Sequence, residues 1–387
     1  MNPNKPHELR APDYPTATPS VAVAIPVRNE EANIDSVLKG FSESEYPAIV
    51  DILVVDGKST DRTCEIVSEW TRRDPRIRLL QNPWRFQSYA LNIALNSTQA
   101  DVFLRADAHC VYAQDYVQIC VAELIRTRAL NVGGAQRFVC RTLVQAGIAL
   151  AVQSPFGSGG AKYRNWNYDG FAETVFLGCF RRETLLMIGG YAEYDGFVNE
   201  DAELNRRLRD RPFSLANETN QDAELNLTLG SRKESIVYVS RRIKVWYWPR
   251  KKMRSLGRQY FNYGRGRAIT ACRHRYLHTR ATVILGLWTL CVIFVFAGIF
   301  TLRSSVGDSV ALCGIGLAIV LLESVRVTLV RRQMFAREIW RGAPEGMPSG
   351  PKLIGVTAAA ISIMVASYPL GFLYQAVRIC WRRRIAW

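Results

Sequence analysis

The chain is poor in histidine and lacks paired-cysteine motifs, with 4 His and 9 Cys in 387 residues. The cysteines at 64, 110, 120, 140, 179, 272, 291, 313 and 380 form no CxxC pair and no ladder of metal spacings. That excludes a zinc ribbon or a disulfide framework and leaves reduced thiols in a cytosolic compartment as the simplest reading. No GxGxxG follows a candidate strand and no GxxxxGK[ST] occurs, which argues against a dinucleotide fold and a P-loop. No repeat of solenoid length is present. Residues 1–19 are polar and proline-rich without an apolar core, so they read as a flexible lead-in and not as a signal peptide. Acidic residues become scarce after position 240. Residues 241–387 hold 4 acidic and 24 basic side chains, against 30 and 26 in 1–240, giving balances of +20 and −4. The net charge of +16 therefore travels with the apolar last third. It points to membrane phospholipids as partners and away from nucleic acid.

What is present is an alternation of buried strands and helices. The continuous apolar run Val21 to Val27 reads as a strand covered on both faces. It ends in Arg28-Asn29-Glu30-Glu31, and Ile34, Val37, Leu38 and Phe41 then follow at helical spacing. Ile52 to Gly57 repeats the theme, with Ser59-Thr60-Asp61 capping a helix that carries Ile66, Val67 and Trp70. Ile77 to Leu80 is a third strand, Tyr89 to Leu95 a third helix and Val102 to Leu104 a fourth strand. Short turns between them predict a parallel sheet with helices on both faces.

Ligands of such sheets bind outside the carboxyl ends of the strands, where Glu30, Asp56 and Asp107 all stand. In Leu104-Arg105-Ala106-Asp107-Ala108-His109-Cys110, an extended backbone projects Asp107 and His109 to the same side. Such a pair could hold a divalent cation, and the cation a diphosphate. From the heptapeptide alone, a surface turn that happens to contain an Asp and a His is the favoured reading.

Ile25-Pro26-Val27-Arg28-Asn29-Glu30-Glu31, then Val54 to Thr63 and the Asp107 stretch, together resemble glycosyltransferase family 2. More narrowly, Arg105 to His109 and the Gly178 to Arg207 region resemble membrane-bound transferases of succinoglycan-type exopolysaccharide assembly. The resemblance covers roughly residues 20 to 275. It implies a GT-A fold, an α/β architecture with a mostly parallel sheet, and inverting transfer from a nucleotide-sugar donor. It places Pro26 and Glu30 beside the nucleoside, Asp56 on the uracil edge, and Arg105 among the donor contacts. Asp107 falls at the last acid of the DxD motif, the position of a divalent metal, Mg2+ or Mn2+. Arg105 stands where the first acid belongs. His109 either supplements the metal contact or hydrogen-bonds the turn. Gly133-Gly134 resembles a segment in which small residues let the backbone approach the donor sugar, and 157–170 reads as a loop over the acceptor or an irregular connection.

Glu200-Asp201 matches the ED motif, whose aspartate is the general base. The residues fit the first turn of a helix with Asn199 or the preceding turn as cap and with Ala202, Leu204 and Leu208 facing inward.

From Lys244 onward, Trp246, Tyr247 and Trp248 precede Arg250-Lys251-Lys252, and apolar residues then alternate with Arg254, Arg258, Arg265 and Arg267. This is the composition of an interfacial helix. Arg258, Gln259 and Arg265 loosely match a QxxRW-type segment that closes over the diphosphate. Val283 to Leu302 is uncharged and long enough to span a bilayer; Ser309 to Val330 and Leu353 to Val377, the latter broken near Pro369-Gly371, are further candidates. The basic 241–280 stretch puts the catalytic domain in the cytoplasm. A third full crossing would leave Arg382-Arg383-Arg384 outside, so either the last segment is re-entrant or interfacial, or the charge bias is overridden.

The expected layout is a lead-in (1–19), a GT-A catalytic domain (20–240), a basic interfacial segment (241–280) and an α-helical membrane domain (281–387) in a bacterial inner membrane. The expected reaction moves a hexose, for example glucose from UDP-glucose, onto a lipid-linked saccharide acceptor. A polyprenyl-phosphate glycosyltransferase, a processive polysaccharide synthase and a catalytically inactive binding subunit are the alternatives.

Overall fold

A computed structural model describes residues 9–10, 18–158, 160–193, 200–210, 213–214, 236–274 and 306–385. The expected span at 283–302 and the cap at Asn199 lie outside these residues. In chain order the elements are β1 (Val21–Val27), α1 (Ile34–Ser42), β2 (Ile49–Asp56), α2 (Thr63–Arg73), β3 (Ile77–Gln81), α3 (Gln87–Asn96) and β4 (Val102–Arg105). There follow β5 (Cys110–Tyr112), α4 (Tyr116–Thr127), β6 (Asn131–Phe138), α5 (Leu143–Ala151), β7 (Gly170–Phe171), β8 (Phe176–Arg181) and α6 (Arg182–Met187). The chain closes with α7 (Glu200–Asp210), β9 (Val237–Tyr247), α8 (Met253–His274), α9 (Val306–Val330) and α10 (Gly350–Ile385).

The strands labelled above form one sheet in the order β3-β2-β1-β4-β8-β6-β9-β5, with β7 paired to β9, and apart from it Leu9–Arg10 pairs in parallel with Phe213–Ser214. The first four are mutually parallel, as the strand and helix alternation predicts. Beyond them the sheet becomes mixed: β8 runs antiparallel to β4 and β6, and β9 antiparallel to β5 and β7. Strand order reverses at β1. The chain steps from β1 outward to β2 and β3, then returns to place β4 on the other side of β1. A crevice forms at such a switch point, at the carboxyl ends of the two strands, because the loops leaving them diverge.

Packing on the sheet is apolar and continuous. Leu53, Val55 and Phe103 from the strands meet Ala90, Leu91, Ala94 and Leu95 of α3, Leu204 and Leu208 of α7, and Phe180, Leu185 and Tyr191. The inward side of α7 differs from the expected one. Glu203, Leu204, Asn205 and Leu208 are buried while Ala202 is only half-buried, because two polar residues have partners inside. Glu203 accepts from Arg207 at 2.9 Å, and Asn205 accepts from Asn131 at 2.8 Å.

Glycines set the spacing of β6. A Cβ at Gly133 would lie 2.5 Å from the Leu177 carbonyl oxygen, and one at Gly134 2.5 Å from that of Ile243. The small residues that were expected to admit a donor sugar therefore admit neighbouring strands.

The chain divides into two compact units, one of residues 1–137, 165–196 and 200–247, the other of 138–164, 197–199 and 248–387. The segment 138–164, assigned from sequence to the catalytic domain, thus belongs to the second unit. There, a Cβ on Gly147 of α5 would come within 2.8 Å of the Val356 carbonyl oxygen of α10. Helices α8 and α10 approach each other through glycine on both sides: a Cβ at Gly264 would lie 2.0 Å from the Tyr368 carbonyl oxygen, and one at Gly371 1.9 Å from that of Phe261. Helix α10 runs unbroken through Pro369, where an interruption was expected. These close contacts on both sides of the proline hold the helix axis where one backbone hydrogen bond is missing.

Helix α9 is inverted relative to a water-soluble helix. Ser324, Val327 and Thr328 are buried, whereas Ile315, Leu317, Leu322, Leu329 and Val330 are exposed, Leu322 by 69%. Residues Gly350–Trp381 of α10 are long and apolar enough to cross a membrane, and part of that stretch is buried within the protein.

Candidate functional site

The first unit gathers its charged residues at the crevice between β1 and β4. The β1 end is built by alternation. The Ala24 carbonyl accepts from Ala106 N–H at 2.8 Å and the Val27 carbonyl from Gly57 N–H at 2.8 Å, so odd-numbered residues of β1 face β2 and even-numbered residues face β4. Pairing with β4 stops at Ala24↔Arg105. Pro26 therefore turns its nitrogen toward a position where the ladder has ended, and its missing N–H leaves nothing unpaired.

The next loop is tied to the loop after β2. Asn29, in left-handed backbone at φ 58°, accepts from Thr60 N–H at 2.8 Å and donates its own N–H to Ser59 Oγ at 2.9 Å. Glu30 N–H donates to Thr63 Oγ1 at 2.8 Å. Asp56 is buried and accepts from Ser59 N–H at 3.1 and 3.2 Å, which closes the turn through Lys58, itself at φ 62°. Two strand-end loops are thereby fixed against each other before any ligand arrives.

Across the crevice the turn after β4 is clamped by Tyr112. Its hydroxyl accepts from Asp107 N–H at 2.6 Å and donates to the Asp107 carbonyl at 2.9 Å. His109 presents Nδ1 to Glu30 Oε1 at 3.4 Å, joining the two sides of the crevice, while its ring meets Tyr247 edge-on at 5.2 Å. Burial is the largest influence on the Glu30 carboxyl and raises its pKa. The hydrogen bond and charge of His109, with Asn33 donating at 2.9 Å, outweigh it and hold the pKa below the ordinary value. The contact reaches Glu30 across the crevice and not the turn itself, which Tyr112 holds.

The centre of the site is Arg105. Its guanidinium lies 3.4 Å from Asp107 Oδ1 and 3.3 Å from Glu200 Oε1, and it pairs with Asp201 Oδ1. Arg105, Asp107 and Glu200 are buried, and Asp201 keeps 38% of its side-chain surface open. Gln87 Nε2 adds a hydrogen bond to Asp107 Oδ1 at 3.2 Å. Three carboxylates thus share one cation, two of them buried and the third, Asp201, partly open. Burial, then the neighbouring Asp201 charge, push the Glu200 pKa up to about 7 against the pull of Arg105. Burial also raises the pKa of Asp201, with Arg105 opposing and Asp107 adding to the rise.

Of the residues singled out from sequence, Glu30, Asp56, Arg105, Asp107, His109, Glu200 and Asp201 stand at or beside this crevice. Arg258, Gln259 and Arg265 belong to α8 in the second unit. There Gln259 donates to Tyr263 at 2.9 Å and Arg265 donates to Gln375 at 3.2 Å, and Arg258 is exposed. Two site residues were not foreseen. Gln87 opens α3 at the rim, where a strand-end helix start was the available signal. Tyr191 is fully buried with a hydroxyl that has no hydrogen-bond partner among the described residues. Burial, then the Asp201 charge, set its pKa well above the ordinary value. The Gly189-Gly190-Tyr191 run had signalled only a helix end.

Among the described residues no group of three or more His, Cys, Asp or Glu side chains is arranged to enclose a metal ion. The donor chemistry nonetheless fits a hard divalent cation of the kind that is held by one or two carboxylates and a substrate diphosphate. Asp107 supplies such a carboxylate, and the cluster carries more negative than positive charge.

A sheet with its switch point lined by acids, and no glycine cradle, defines a nucleotide-sugar transferase of GT-A type. Residues 22–185 match the family model described as "Glycosyl transferase family 2", which spans β1 to α6 and ends short of α7. The succinoglycan biosynthesis protein ExoA of Rhizobium meliloti (strain 1021) is 33% identical over 265 residues, 68% of this chain and 73% of that protein. A Methanococcus voltae enzyme is 26% identical over 208 residues, 52% of this chain and 64% of that protein. Its name is dolichyl N-acetyl-alpha-D-glucosaminyl phosphate 3-beta-D-2,3-diacetamido-2,3-dideoxy-beta-D-glucuronosyltransferase. The mannosyltransferase PcManGT from Pyrobaculum calidifontis, solved with GDP-Man and Mn2+, superposes with a TM-score of 0.53 at 18% identity over 94% of this chain and 88% of that one, a likeness of fold. The chain belongs to glycosyl transferase family 2 and is a glycosyltransferase.

Proposed function

We propose that this glycosyltransferase transfers a hexose with inversion from a UDP-sugar, UDP-glucose in the first instance, to a lipid-linked saccharide during exopolysaccharide assembly at the membrane. The observation that carries this reading is the convergence of Arg105, Asp107, Glu200 and Asp201 beside the β1/β4 switch point. In the reaction, the acceptor hydroxyl oxygen bonds to the anomeric carbon as the bond to the nucleoside diphosphate breaks. The hydroxyl proton must leave on the face opposite the leaving group. Asp201 is the base that takes it: it is the carboxylate of the cluster most open to an incoming acceptor, and its raised pKa improves it as a base.

Pro26, Glu30 and Asp56 serve the nucleoside end, where their loops are already locked. Asp107 would hold a divalent metal, Mg2+ or Mn2+, which when bound supplies charge neutralisation for the departing diphosphate. The lipid-linked acceptor is supported by two relatives, one named for succinoglycan biosynthesis and the other for a dolichyl phosphate-linked sugar. Association with a membrane is supported by the apolar outer faces of α9 and α10 and by the +20 balance of the last third. Arg258, Gln259 and Arg265 are read as interfacial contacts with phospholipid headgroups.

The test is a panel of nucleotide sugars on membranes containing the full chain, with and without divalent metal, reading nucleotide release and glycolipid formation. Metal-dependent glycolipid formation is expected from one UDP-hexose, and Asp201→Asn should abolish transfer while UDP still binds. Long polymer from the purified protein, or undiminished transfer by Asp201→Asn, overturns the reading.

A further inference from the structure

The family pattern places an acid at position 105, and this chain has a buried arginine there instead. Its charge is spent on groups from two distant parts of the sequence: Asp107, two residues on, and Glu200 with Asp201, nearly a hundred residues on. Among the described residues, Arg105 is the one side chain that hydrogen-bonds either carboxylate of the Glu200-Asp201 pair. The start of α7 is thus fastened to the sheet by a single guanidinium, whose fork can address several carboxylates at once where an ammonium would act as one point charge.

Remove that cation and three carboxylates, two of them buried and Asp201 partly open, face one another. Their repulsion drives the first turn of α7 away from Asp107. The nucleoside end of the donor side has its own supports, since Glu30, Asn29, Ser59 and Thr63 are linked without Arg105, and Asp107, the donor-side group that Arg105 does touch, is also held by Gln87 and by the Tyr112 hydroxyl.

We propose that Arg105 is a positioning residue for the acceptor-activating carboxylates, holding Asp201 in line with the reacting centre, and that it is not a donor-binding residue. This rests on Asp201 being the general base. A displacement of the base by about 1 Å costs on the order of 100-fold in rate. The full-length Arg105→Ala variant should lose about that much in kcat, and its KM for donor and its Kd for UDP by calorimetry should stay within about 3-fold of wild type. The donor used is the member of a UDP- and GDP-sugar panel that the wild type turns over fastest. Guanidinium ion added to Arg105→Ala should restore turnover saturably, and Arg105→Lys should fall between wild type and Arg105→Ala. Arg105→Lys also keeps the test alive if the alanine variant does not fold.

A loss of UDP affinity in step with kcat, in either variant, overturns the proposal in favour of a donor contact. Turnover in Arg105→Lys equal to wild type, or no response of a folded Arg105→Ala to guanidinium, also overturns it. Failure of the underlying reading looks different, because Asp201→Asn would then retain transfer whatever Arg105 does.

Discussion

At the scale of single residues, the site stores its charge in an unusual way. Glu200 has a pKa of about 7 in the folded protein, against an ordinary value of 4.5. A carboxyl whose folded pKa is raised favours folding in its neutral form. That contribution is complete below about pH 4.5 and is lost as pH climbs to 7. Glu200→Gln mimics the neutral form at every pH. Its melting temperature should match that of wild type near pH 4.5 and exceed it above pH 7, by an amount equivalent to about 1–3 kcal/mol. Scanning both proteins across that range checks it, and a parallel pair of curves would be the contrary result. The acids themselves were legible in the sequence, because strand ends and helix starts are positions that apolar periodicity locates. Their partners were not. Nothing in Leu104 to Cys110 says that Arg105 reaches a helix almost a hundred residues away, or that His109 turns to Glu30; those contacts follow from strand order, which local pattern does not encode.

At the scale of elements, the buried parallel strands were readable because both faces are covered, and continuous apolar runs leave little ambiguity. The antiparallel half was less so: β5 and β7 are three and two residues long, and Gly133-Gly134 was linked to the sheet by resemblance alone, with no apolar alternation to mark a strand. Position 133 now carries a specific expectation. An alanine there must push the carbonyl oxygens of Leu177 and Phe176 away from 2.5 and 2.9 Å, and both are backbone atoms. Gly133→Ala should lose about 1–3 kcal/mol in thermal or denaturant unfolding. Gly40, within α1, has nothing within 4 Å of its Cβ position. Gly40→Ala should instead gain up to about 1 kcal/mol through helix propensity. Equal effects from the two would show that strand spacing is not what Gly133 provides. The inward face of α7 was misjudged for a related reason: periodicity assigns apolar residues to the core, but Glu203 and Asn205 are buried because they bring their hydrogen-bond partners with them.

At the scale of the whole molecule, the boundary read from sequence near residue 240 follows the change in charge, whereas the compact units follow packing. The two agree at Tyr247 within a few residues and diverge at 138–164. Residues Gln145–Ala151 of α5 are buried, and α10 is among the helices that cover them. A chain stopped after Tyr247 would leave that apolar stretch uncovered. Expressed alone, it should recover as aggregate or detergent-dependent protein, whereas the full chain purifies from membranes as a single species. Soluble, monodisperse recovery of the shortened chain, judged by size exclusion, would contradict this.

The same arrangement dictates an order of events during synthesis. Helix α5 leaves the ribosome long before its partner α10 exists, with roughly 200 residues still to be translated between them, a delay of about 10–40 s at ordinary elongation rates. Throughout that interval the nascent chain carries an apolar helix whose covering partner does not yet exist. The waiting segment needs a temporary custodian, a chaperone or the bilayer itself, so folding of the second unit waits on the last helix to be made.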